Sequence, residues 1–105
     1  MLTRLVRMSF QEDRLADFAA IFDSSKAKIR AFPGCLHLEL RRDLDHPNVR
    51  ITHSLWESPA ALEAYRQSDL FRTTWAATKV LFAEKPLAFS METEWSSDEY
   101  NIKSV

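Results

Sequence analysis

Glycine is almost missing from this chain of 105 residues: Gly34 is the only one. A loop that cradles phosphate with its backbone needs several glycines, so nucleotide motifs of that kind are excluded, as is the glycine-flanked serine of a nucleophile elbow. Cysteine is equally scarce. Cys35 stands alone, which rules out an internal disulfide framework and fits a reducing compartment. Cys35 opens a strand after a turn, where a small buried residue is a simpler reading than a nucleophile. An excess of either charge is lacking too. Fourteen basic residues face 15 acidic ones, for a net charge of −1. They are scattered, so neither nucleic acid nor a membrane surface is an expected partner. No apolar run approaches the ~20 residues of a membrane span. The stretch Met1 to Asp13 has neither the apolar core nor the cleavage pattern of a secretory signal. A cytoplasmic protein is expected.

What is present is a core. Hydrophobic residues make up 46% of the chain, enough for one modest globular domain. The expected domain runs over residues 1–95, followed by a polar tail at 96–105. LTRLVRMSF, Leu2 to Phe10, reads as a first strand. The period then changes: Leu15, Phe18, Phe22, Ser25 and Ile29 fall on one helical face. Acidic Glu12 and Asp13 open that helix, basic Lys26, Lys28 and Arg30 close it, and Pro33 with Gly34 stops it. A second strand from Cys35 to about Asp43 and a third from Val49 to Trp56 flank the turn LDHPN. Ser58 is expected to cap a helix with Pro59 at its first position, and Ser68 a further segment carrying Phe71, Trp75, Thr78 and Phe82 on one face. Pro86 to Trp95 alternates as a fourth strand.

The order β-α-β-β-α-β predicts an α+β, ferredoxin-like fold with a four-stranded antiparallel sheet. Both helical segments cover one face of such a sheet. The other face needs a cover, most simply a second copy of the chain, so a homodimer is expected.

The turn between strands two and three decides which side chains meet. A four-residue loop, Asp45 to Asn48, pairs Leu44 with Val49. His37 then lies opposite Trp56, Glu39 opposite Ser54, and Arg41 opposite Thr52. Leu36, Leu38 and Leu40 share the other face with Ile51, His53 and Leu55. One residue more or less in the loop reverses this. In this register His37 and His53 cannot share a metal, and His46 sits in the turn with Asp43 and Asp45. No metal site is expected, because no ligand spacing for one occurs.

The stretches AFPGCLHLELRRD, HSLWESPAALEAYRQSDLFRTTW and KPLAFSMETEW together resemble the antibiotic biosynthesis monooxygenase domain family, over Leu2 to about Trp95. The resemblance implies a ferredoxin-like protomer, a homodimer whose sheets form a dimeric α+β barrel, and a pocket between helices and sheet. It also implies relatives that oxidise polycyclic phenols or quinols without a cofactor, and a haem-degrading branch. Trp56 matches the pocket tryptophan of that branch. The strand-one Asn of the branch corresponds to about Val6 here, and its haem-ligating His to Trp75, so haem is not expected.

The expected function is oxidation of an electron-rich aromatic small molecule by O₂ with no cofactor. His37 is the candidate base and Glu39 its partner or substitute. Trp56, Tyr65, Phe71 and Trp75 are the expected aromatic wall, with Ser54 beside them. This assignment carries His37 and Glu39 to the helix side with Trp56. The alternative arrangement puts the leucines under the helices and the polar row between subunits. The alternative function is a dimeric small-molecule-binding module without turnover, with a haem-degrading monooxygenase as a less favoured one.

Overall fold

In a computed structural model, whose described residues are 1–97, local signals place most element ends. Strand β1 spans Leu2–Ser9 and pairs with no turn of its own before a short 3₁₀ turn at Glu12–Arg14. Helix α1 then runs over Leu15–Arg30, so the first residues expected as α-helix are the tighter turn instead. Its apolar face is as the spacing predicts: Phe18, Ser25 and Ile29 are buried. Gly34 has φ of 88°, the left-handed region that glycine enters without a Cβ penalty. An added Cβ there would lie 2.5 Å from the Ala61 Cβ, so the turn is tight against the next helix as well.

Strand β2 follows at Cys35–Arg42 and β3 at Val49–Trp56. Helix α2, Pro59–Arg66, starts at Ser58, whose side chain accepts the Ala61 N–H. Helix α3, Asp69–Lys79, starts in the same way at Ser68, which accepts from the Phe71 N–H. Strand β4 is Leu87–Met91, shorter than the expected Pro86 to Trp95. The reason is its only neighbour: Met91 pairs with Thr3, and just one strand residue of β1 remains beyond that point. The tail expected from residue 96 lies mostly outside the described residues.

The strands form one antiparallel sheet in the order β2-β3-β1-β4, with the helices on one face. This is the ferredoxin-like arrangement. Two apolar clusters hold helices to sheet. Met8, Phe10, Phe18 and Leu81 form one; Cys35, Trp56 and Leu62 form the other, with Phe32 and Tyr65 packed on it.

The β2–β3 register differs from the expected one by a single residue. Arg42 pairs with Arg50, Leu40 with Thr52, Glu39 with His53 and His37 with Leu55. The cause is Asp43. Its carboxylate accepts the Asp45 N–H at 2.8 Å, an Asx turn that bends the chain early. The Asp43 N–H still donates to Val49 O, leaving a five-residue loop, Leu44 to Asn48. Leu44 is thrown out to 85% exposure. The change reverses the side chains of β2 from His37 to Arg42 relative to β3, while an irregularity between Cys35 and His37 keeps Cys35 opposite Trp56. Leu38 and Leu40 therefore face the helices together with Thr52, Ser54 and Trp56, while His37, Glu39 and Arg41 share the outer face with Ile51, His53 and Leu55. The two arguments that pulled apart in the sequence, leucines under helices and Trp56 toward helices, are both satisfied.

Candidate functional site

A pocket of about 320 Å³ lies between the helices and the sheet, near the lower end of the range for small-molecule sites, about 300 to 1,000 Å³. The alternation of β1 and β3 supplies its floor: Arg4, Val6 and Met8 from one strand, Thr52, Ser54 and Trp56 from the other. Helices α2 and α3 supply its wall. Their amphipathic spacing turns Leu62 and Tyr65, then Phe71, Trp75 and Thr78, toward the sheet.

The five residues expected to bind substrate, Ser54, Trp56, Tyr65, Phe71 and Trp75, all come together here. Their rings form a continuous series. Tyr65 stacks on Trp56 with centroids 5.0 Å apart, Phe71 meets Tyr65 edge-on at 5.3 Å, and Trp75 stacks on Phe71 at 5.8 Å. Trp56 has no exposed surface, so Tyr65 is the ring a ligand meets before it. The indole N–H of Trp56 donates to Ser54 Oγ at 2.9 Å, which fixes the ring and leaves the Ser54 hydroxyl proton free to point elsewhere. Burial, with a smaller contribution from Cys35, pushes the Tyr65 phenol up to about 12. Tyr65 thus stays protonated at neutral pH, a hydrogen-bond donor and not a base. Val6 and Trp75, at the positions matched to the Asn and His of haem-degrading relatives, also line this pocket.

Two residues missed by the sequence reading complete it: Arg4 and Arg66. Arg4 shares the parity of Val6 and Met8 in β1, and Arg66 directly follows Tyr65; those were the available signals. Arg4 Nη1 donates to Ser90 Oγ at 2.8 Å. Burial first, and then the nearby Arg66 charge, pull Arg4 below the usual guanidinium range.

His37 and Glu39 are not in this pocket, which corrects the expected site. The sheet stands between them and the aromatic wall, because the hairpin register places them on the outer face. There they belong to a network. His37 Nε2 donates to Glu39 Oε1 at 2.7 Å, Arg41 Nε donates to Glu39 Oε2 at 2.6 Å, and Arg41 Nη2 donates to His53 Nδ1 at 2.8 Å. Hydrogen bonds from His37 and then Arg41 hold the Glu39 carboxyl down at about 2. Burial and the Arg41 charge lower His53, in keeping with a neutral ring that accepts at Nδ1. The expectation that His37 and His53 lie apart is also corrected: their rings are 5.6 Å apart. Ligand atoms of His37, Glu39 and His53 lie within 4.8 Å of one another. A cation could sit there only by displacing Arg41, whose guanidinium already satisfies Glu39 and His53. The cluster borders a hollow of about 550 Å³ reaching to Met91 and Trp95. Beside it β4 exposes Leu87, Phe89 and Met91.

Among the described residues no helix is long and apolar enough to cross a membrane. Residues 1–77 match the family of antibiotic biosynthesis monooxygenases. No curated protein matches the chain. Among solved structures, one is a protein of Caulobacter crescentus CB15 assigned to antibiotic biosynthesis monooxygenases. It is 25% identical, with a TM-score of 0.83 over 88% of each chain. A counterpart from Deinococcus radiodurans is 16% identical, with a TM-score of 0.83, covering 93% of this chain and 97% of that one. A variant of SnoaB, a cofactor-independent oxygenase of Streptomyces nogalater, is 18% identical, with a TM-score of 0.81, covering 91% of this chain and 95% of that one.

Proposed function

The chain belongs to the antibiotic biosynthesis monooxygenase family, and from that premise we propose that its helix-side pocket binds a flat, electron-rich aromatic molecule and supports its oxidation by O₂ without a cofactor. The observation that carries this is the ring series Trp56–Tyr65–Phe71–Trp75 along a pocket of about 320 Å³. Such a wall suits a planar π-system. In the reaction class proposed, an anthrone-type methylene and O₂ give a ketone and water. One oxygen atom goes to carbon and the other leaves with the two methylene hydrogens. The substrate supplies both electrons needed to reduce that second atom. The protein's part is to exclude water, hold the ring plane and stabilise the substrate anion, which the guanidinium of Arg4 and the hydroxyls of Ser54 and Tyr65 suit.

The protein acts, in this reading, as a cytoplasmic homodimer whose outer sheet faces meet. Leu87, Phe89 and Met91 are each about half exposed on that face, an apolar strip with no cover among the described residues.

A second reading, a binding module without turnover, is favoured by one specific observation: among the described residues no Asp, Glu or His lines the pocket. Oxygen uptake with anthrone, corrected for its spontaneous oxidation, separates the two. The oxygenase reading expects a protein-dependent rate that falls at least tenfold in Trp75→Ala and stays within about twofold in His37→Ala, far from the 10²–10⁴-fold loss of a true base. Anthrone bound with no uptake above background supports the binding module and overturns turnover.

A further inference from the structure

We propose that the ligand of this pocket is an aromatic acid whose carboxylate sits between Arg4 and Arg66. The inference deepens the aromatic-pocket reading and rests on it.

Two guanidiniums line a cavity whose remaining surface is apolar, aromatic or hydroxyl-bearing, and among the described residues no carboxylate lines it with them. Two cations lining one cavity, with Arg4 partly buried, are unfavourable unless something compensates them. Arg4 is the clearer case. It projects from the central part of the sheet, its one side-chain hydrogen bond is to the neutral hydroxyl of Ser90, and among the described residues it has no ion pair. Its depressed basicity, from burial and then from Arg66, reports the same uncompensated charge. Arg66 does have a partner, Glu63, but at 3.4 Å and on the exposed side of α2. That pair is weak enough to yield to a ligand.

A guanidinium presents parallel N–H groups that match a carboxylate in two-point fashion. Tyr65 precedes Arg66 in α2, so the ring that faces the ligand plane and the cation at the mouth come from adjacent residues. A flat acid thus lies with its rings along Tyr65, Phe71 and Trp75 and its carboxylate at the Arg4–Arg66 end. This assigns the two arginines to selection among aromatic molecules, a role that the rings alone do not supply.

The test compares 3-hydroxy-2-naphthoate with 3-hydroxy-2-naphthamide by isothermal titration calorimetry. The two have the same rings and differ in charge. The intact protein should bind the acid at least about tenfold more tightly, as expected for charge-assisted hydrogen bonds. The preference should shrink as salt is raised. Arg4→Gln and Arg66→Gln should each reduce the acid-over-amide preference, and Arg4→Lys should keep part of it. Arg66 lies at the exposed end of α2, so its variant serves even where Arg4→Gln disturbs the sheet. Equal affinity for acid and amide in the intact protein overturns the proposal while sparing the aromatic pocket. A preference that survives both Gln substitutions overturns it too. Binding of neither probe overturns the aromatic-pocket reading and this proposal with it.

Discussion

The two faces of the sheet hold the same kinds of residue in opposite states of satisfaction. On the outer face, His37, Glu39, Arg41 and His53 pair among themselves, cation against carboxylate. On the helix face, Arg4 meets rings and hydroxyls with no ion pair among the described residues, and Arg66 has only the exposed Glu63 at 3.4 Å. A closed ionic network is usually structural, whereas a cation left without a counter-charge beside an aromatic cavity, as Arg4 is, suits a ligand of opposite charge. The comparison also assigns the apolar surfaces. Helix-side rings are covered by their own chain, and among the described residues nothing covers the β4 strip on the outer face.

The largest effect expected from this contrast is in the helix-side core. Phe10 has no exposed surface and stacks on Phe18 with centroids 4.3 Å apart. Phe10→Ala should lower the unfolding free energy by about 3–5 kcal/mol, measured by urea denaturation. A loss below about 1 kcal/mol would mean that the packing around Phe18 and Phe82 closes over the gap.

How far the sequence disclosed this follows the range of each signal. Ser58 and Ser68 were legible as caps because a cap is decided within three residues. Gly34 was legible as a turn because positive φ is nearly its own signature. The order of elements along the chain followed from the alternation of periods. The ring wall was legible because Phe71 and Trp75 recur at helical spacing, Tyr65 stood in the helical segment before them, and the family resemblance supplied Trp56. The hairpin register was not legible. It turned on whether the Asp43 side chain would capture the Asp45 N–H, and that single hydrogen bond moved His37 and Glu39 to the other side of the sheet. Arg4 was passed over because an arginine in a short mixed strand reads as surface until the sheet shows which parity is inside.

The second effect concerns the uncovered strip. If two copies meet through their outer faces, Phe89→Asp places a charge on each side of a self-complementary contact. Dimerisation should weaken a hundredfold or more, about 2.7 kcal/mol, and light scattering at micromolar concentration should report a monomer that still binds the naphthoate probe. An unchanged dimer would move the contact away from β4. An intact protein that is already monomeric would remove the outer-face dimer altogether.

The smallest effect is in the ionic network, and its pH dependence sharpens the comparison. The folded state holds the Glu39 carboxyl at about 2, against an ordinary value of 4.5. A depressed carboxyl contributes stability that is fully present above its unfolded pKa and disappears as the pH falls from about 4.5 toward about 2. His53 is depressed as well, so its contribution is likewise lost on acidification. Glu39 faces His37, Arg41 and His53, all of which act on it or are acted on by it. Its side chain is 37% exposed, and solvent screening holds the value of such a network to about 1 kcal/mol or less. Glu39→Gln should therefore cost at most about that much at pH 7, and the difference from the intact protein should vanish near pH 2, read by urea denaturation across that window. A cost at pH 7 well above 1 kcal/mol would show that the network is out of water in solution. Only a partner over the outer face would achieve that, and the excess should then disappear in the Phe89→Asp background.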